Sequence, residues 1–133
     1  MTNDVKIRIG AIHILESLPP GNLRTGERLR DELEPLGQVS TPQIAVHFWR
    51  EPTRAAFLGR LQHIAAAVRF SGLAPVVHLE THGTPEGLEL ASGEAVTWSD
   101  LKAPLTTINV TCRLNLLVLL GACNGAGLLE VIQ

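Results

Sequence analysis

A chain of 133 residues, 45% hydrophobic and 18% charged, has the size and composition of one globular domain with a real core, which excludes an intrinsically disordered segment. Its formal charge of −2, with Lys and Arg scattered along the chain, gives no electrostatic footprint for nucleic acid or an anionic membrane surface. Neither is expected as a partner.

Val5 to Leu15 carries Ile7, Ile9, Ile12, Ile14 and Leu15, a run dense enough for a strand buried on both faces. Pro19-Pro20-Gly21-Asn22 breaks it and opens a loop. Thr25 then reads as the N-cap of a helix, with Glu27 in the first turn and Leu29 and Leu33 on one buried face. Pro35 is expected to end this helix, because it supplies no N–H and disfavours helical geometry before it. Ile44 to Phe48 reads as a second strand. After Pro52, the residues Phe57, Leu61, Ile64, Ala65 and Val68 recur every three or four positions and mark an amphipathic helix, which Gly72 stops.

Pro75 to Glu80 is the third strand, and Leu88 to Val96 forms a small hairpin turning at Ser92-Gly93. Thr97-Trp98-Ser99-Asp100 has the pattern of a capping box, with Trp98 as a packing anchor; Pro104 is expected to limit the helix. Leu114 to Leu120 is the fourth main strand. Nearly continuous apolar strands alternating with helices predict an α/β domain whose mainly parallel sheet is covered on both faces. No internal repeat, linker or low-complexity tract interrupts it.

The start, Met1-Thr2-Asn3-Asp4, lacks the basic and apolar regions of a signal peptide. The longest apolar run, Leu116 to Leu120, is far below the roughly 20 residues that cross a bilayer. Two cysteines make no disulfide framework, so a reducing, cytoplasmic setting with free thiols is expected.

In open α/β sheets, ligands bind beyond the carboxyl ends of the strands. Two segments deliver reactive side chains there. In Val76-Val77-His78-Leu79-Glu80-Thr81-His82-Gly83, the glycine is expected to stop the strand just after His82. In Leu117-Val118-Leu119-Leu120-Gly121-Ala122-Cys123-Asn124-Gly125, a strand presents Cys123 among small residues. A thiol with a pKa near 8.5 is only a few per cent thiolate at neutral pH and needs a base beside it, which an imidazole supplies. The amides of Gly83 and Cys123 are the natural donors for an oxyanion.

Each of these residues also has an ordinary reading. Free cysteines are commonly buried small hydrophobes, and this describes Cys112, which has no comparable company. A reducing setting argues against a bond between Cys112 and Cys123. His78, Glu80 and His82 lie two apart, on one face of a strand, which permits a metal site; alternatively His78 and Glu80 are simply hydrogen-bonded near the sheet end. His13, His47 and His63 read as core or surface histidines, and Asp100 as part of its cap.

Thr81-His82-Gly83 and Gly121-Ala122-Cys123-Asn124-Gly125 resemble the His-Gly and Ala-Cys-x-Gly signatures of the caspase-like cysteine peptidases, nearest the bacterial CHAT and metacaspase-type branches. The separation of 41 residues between His82 and Cys123 is close to the roughly 50 of the caspase pattern. The hairpin and helix start from Gly87 through Leu101 also resemble the CHAT pattern, as do the opening strand and the helix begun at Leu23-Arg24-Thr25-Gly26.

The resemblance implies a three-layer α/β/α sandwich and cleavage of a protein or peptide substrate through a thioester. It makes His82 the acid and base, Cys123 the nucleophile, and Gly83 an oxyanion donor, with no cofactor required. It also implies a role in bacterial defence or regulated cell death. Gly121 stands where animal caspases carry Gln, so specificity for Asp does not carry over. The chain ends 10 residues after Cys123, where relatives continue with further strands. The expectation is therefore an incomplete sheet: either the chain is a fragment, or it is a large subunit processed near Gln133, with a second, small-subunit polypeptide supplying the rest. Two other functions stay open: a catalytically silent caspase-like binding or regulatory module, and a metal-dependent hydrolase using His78, Glu80 and His82.

Overall fold

The computed structural model describes residues 7–123 and 125–132. The polar start at Met1, the first residues of the Val5 strand, Asn124 and the expected processing point at Gln133 lie outside them. Within the described residues the chain forms six strands and four helices: β1 (Ile9–Ser17), α1 (Thr25–Val39), β2 (Ala45–Arg50), α2 (Arg54–Ser71), β3 (Ala74–Thr84), β4 (Gly87–Glu89), β5 (Ala95–Thr97), α3 (Trp98–Thr111), β6 (Leu117–Gly121) and α4 (Gly127–Ile132). They make a mixed α/β domain with an open, mostly parallel sheet.

Four strands run parallel in the order β2-β1-β3-β6. Ile14 stands beside Phe48 and His78, and Leu79 beside Leu120, so the carboxyl ends of β1, β3 and β6 fall together. The short strands β4 and β5 pair antiparallel with the far end of β3 and with each other. This pairing corrects one expectation: Gly83 does not end the third strand, which runs on to Thr84 because Leu88 and Glu89 supply it with a partner edge.

The core is built by apolar periodicity. Phe57, Leu61, Ile64, Ala65 and Val68, the predicted stripe of α2, are all buried, and they meet Leu15, Val77 and Leu79 from the sheet and Leu101, Leu105 and Ile108 from α3. The ends of α2 follow from its sequence. Thr53 accepts from the Ala56 amide at its start, and Gly72 closes it at φ 71°, a conformation that favours glycine. The capping box of α3 is present, with Thr97 and Asp100 bonding each other's amides. Asp100 also takes Arg54 at 2.6 Å, and these bonds hold its carboxyl well below the usual carboxylate range. Trp98 is buried and donates to the Pro85 carbonyl at 3.0 Å.

Both prolines expected to end helices lie inside them. Each removes one intrahelical hydrogen bond, yet tertiary contacts hold the turns that follow. Past Pro35, the buried Gly37 packs against Ile44, whose N–H donates to the Gly37 carbonyl at 3.0 Å; an added Cβ would collide with the Ile44 carbonyl. Past Pro104, Leu105 and Ile108 are buried in the core. That helix ends instead where Arg113 and Leu114 take left-handed φ values of 59° and 66°, so β6 begins at Leu117 rather than Leu114. Among the described residues, no helix is long and apolar enough to cross a membrane.

Candidate functional site

A hollow of about 500 Å³ lies over the carboxyl ends of β1, β3 and β6. His82 and Cys123, the two reactive side chains singled out by sequence, both line it and are both exposed. Cys112, in contrast, is buried at the end of α3, and both thiols are free.

Gly83 shows why the strand end needs a glycine. A Cβ there would collide with the Cys123 carbonyl and approach the Cys123 N and C atoms to 2.8 Å. The end of β3 and the turn after β6 therefore touch backbone to backbone, which brings Gly83 and Cys123, the expected oxyanion donors, side by side. Downstream, Gly125 accepts from the Leu128 amide at 3.1 Å as α4 starts, and Leu128 is buried in the core. This anchors the turn that carries the thiol.

The third wall comes from the loop after β1. Glu16, buried at the strand end, accepts from the Glu27 amide at 3.1 Å and from Arg50 Nε at 3.2 Å. The lack of a side chain at Gly26 lets the first turn of α1 sit on this carboxylate, whose Oε2 is 2.8 Å from where a Cβ would stand. That seat carries Asn22 and Thr25 over the hollow. The Asn22 amide meets His82 Nε2 at 2.5 Å, and the Thr25 hydroxyl donates to Glu80 Oε1 at 2.7 Å. Thr25 is thus not the cap it was expected to be: Arg24 occupies that position without a side-chain cap bond.

His78 Nε2 and Glu80 Oε2 are hydrogen-bonded at 2.5 Å, which matches the ordinary reading of that pair, and His78 Nδ1 is buried with no partner among the described residues. Since His82 turns to Asn22, the trio His78, Glu80 and His82 does not converge. Among the described residues no group of three His, Cys, Asp or Glu side chains is arranged to hold a metal ion.

Sequence reasoning missed Asn22 and Thr25 as parts of this site, and Glu80 as part of its wall. A signal for the first was present: Pro19-Pro20-Gly21-Asn22 follows a strand whose carboxyl end borders the hollow, and loops at such ends converge. No protein-family model matches this chain, and no curated protein matches it significantly.

Proposed function

We propose that this chain is the nucleophile-bearing part of a caspase-like cysteine endopeptidase, built as an α/β/α sandwich. The observation that carries the reading is one hollow lined by an exposed thiol and an exposed imidazole, at the ends of parallel strands whose backbones touch at Gly83 and Cys123.

In this reading His82 takes the proton of Cys123, and the sulfur attacks the carbonyl carbon of the scissile peptide. The amides of Gly83 and Cys123 receive the developing oxyanion. His82 then gives its proton to the departing amine as the C–N bond breaks, leaving a thioester. Water, deprotonated by His82, releases the acyl product and restores the thiol. Asn22 orients the ring through the contact of its Nδ2 with His82 Nε2.

The layering is supported by strand alternation. Val46 approaches Gly37 of α1, whereas its neighbours His47 and Trp49 form a stack that reaches His63 of α2, so the two helices belong to opposite faces. A second polypeptide is supported by the far side of β6. Among the described residues β6 pairs only with β3, and Leu117 and Leu119 are exposed on it. Beside it, Leu114, Leu129 and Ile132 are exposed around an apolar groove of about 800 Å³. A strand and helix from a small subunit would cover both.

The test is labelling with a peptidyl chloromethyl ketone, read by intact mass and peptide mapping. A single adduct on Cys123 that disappears in His82→Ala is expected. Alkylation of Cys123 by iodoacetamide without any reaction with peptidyl ketones would instead favour the silent binding module.

A further inference from the structure

We propose that Glu16 is a positioning residue for His82, acting through the loop at 18–24 that carries Asn22; the catalytic consequence rests on the peptidase reading above. That loop gives the hollow Leu18, Asn22 and Leu23, and the first residue of α1 gives it Thr25. Glu16 holds both ends of the loop. Its backbone lies in β1, where its carbonyl accepts from the Glu51 amide at 3.0 Å, and its carboxylate accepts from the Glu27 amide in the first turn of α1 at 3.1 Å. Fixing both ends of so short a loop removes much of the freedom that Asn22 would otherwise lose on meeting His82.

This seat replaces a local cap that the sequence does without. The first amides of a helix have no intrahelical partner, and a Ser, Thr, Asp or Asn just before the helix ordinarily takes one of them. Here Arg24 stands at that position with no side-chain cap bond, and Thr25 beside it sends its hydroxyl to Glu80. The acceptor comes instead from the end of a strand. Glu16 is only 1% exposed, and its negative charge suits a helix amino terminus. The first turn of α1 rests directly on this group, since a Cβ at Gly26 would stand 2.8 Å from Glu16 Oε2 and 3.2 Å from Glu16 Cβ.

Taking a carboxylate out of water carries a cost that a surface Ser or Thr cap would not incur. Arg50 offsets it, bonding Glu16 Oε1 through Nε at 3.2 Å and Glu27 Oε2 through Nη2 at 2.9 Å. Capping the helix did not require such an arrangement. What it adds is registration: the ends of β1 and β2 and the start of α1 share one set of charged bonds. That set stands one loop away from the contact of Asn22 Nδ2 with His82 Nε2.

The test is a double-mutant cycle in the full chain, with Glu16→Gln and Asn22→Ala made singly and together. It is read by peptidyl chloromethyl ketone labelling at Cys123, by urea unfolding and by the NMR signals of the His82 ring. Glu16→Gln should slow labelling about 10- to 100-fold and move the ring signals, as Asn22→Ala does. In the Asn22→Ala background the same change should slow labelling by less than about 2-fold further, while its effect on stability should be equal in both backgrounds. A purely structural role would slow labelling by the same factor in both; that result, or unchanged labelling in Glu16→Gln, overturns the proposal. Gly26→Ala reaches the seat from the other side with Glu16 intact. Alanine favours the helix, yet its methyl must displace the carboxylate, so labelling should fall and the ring signals should move. This variant decides the question if Glu16→Gln does not fold. If no peptidyl ketone labels the wild type while iodoacetamide alkylates Cys123, the peptidase reading falls, and the ring signals still decide the seat: moved in Glu16→Gln they uphold it, unmoved they overturn it.

Discussion

Gly83→Ala isolates the contact on which the site's geometry depends. Replacing glycine with alanine ordinarily stabilises a protein by about 0.4–1 kcal/mol, because the unfolded chain loses freedom. At Gly83 the sign should reverse. The new methyl would meet backbone atoms of Cys123, which cannot rotate away as the tip of a side chain can. Overpacking of this kind costs about 1–3 kcal/mol, and relief requires the turn after β6 to retreat from β3. The net effect should be a loss of about 2 kcal/mol, which lowers the melting temperature by roughly 6–8 °C for a domain of this size. Gly59→Ala is the matched control: it lies within α2, a Cβ there meets nothing within 4 Å, and the change should add about 1 kcal/mol. Thermal unfolding of both variants, with the rate of peptidyl-ketone labelling at Cys123, reads stability and site geometry together. Gly83→Ala should lose stability and labelling, and Gly59→Ala should lose neither. If the two variants are equally stable and label equally well, Gly83 does not hold the thiol in place.

Asn22→Ala should slow peptidyl-ketone labelling by about 10- to 100-fold through misplacement of the His82 ring, while the unfolding free energy stays within about 0.5 kcal/mol because the contact is exposed. Normal labelling in this variant would remove Asn22 from the site. His13 predicts a pH effect far from the hollow. Burial, reinforced by the charges of His47, His63 and Arg60, lowers its pKa from 6.5 to about 4, and Trp49 Nε1 donates to its Nδ1 at 3.3 Å. Between those values the unfolded chain holds the extra proton, so this contribution to stability is intact above about pH 6.5 and is lost as pH falls toward 4, by about 3 kcal/mol in all. Urea unfolding across that window should show the slope in the wild type and a flatter profile in His13→Gln; equal slopes would refute the assignment.

What the sequence made legible divides along a physical line. The stripe of α2, its Gly72 stop and the capping box of α3 follow from local periodicity and hydrogen bonding, and each stands where those rules place it. The two prolines mark where local rules fail. The penalty at Pro35 or Pro104 is fixed by the chain itself, but whether the helix survives depends on what the next turn buries, at Gly37 against β2 or at Leu105 and Ile108 in the core. The extension of β3 through Gly83 is of the same kind, since its edge is supplied by β4. For the site, reactive residue types at predicted strand ends were enough to single out His82 and Cys123. The neighbours that tune them were not readable, because Asn22 lies 60 residues from His82 and Thr25 lies 55 from Glu80. The buried Glu16 carboxylate, bonded to the Glu27 amide and packed on Gly26, seats the first turn of α1 beside those pairings. Glu16 therefore acts on the hollow at a distance, and losing its charge should disturb Asn22 and Thr25 together rather than either one alone.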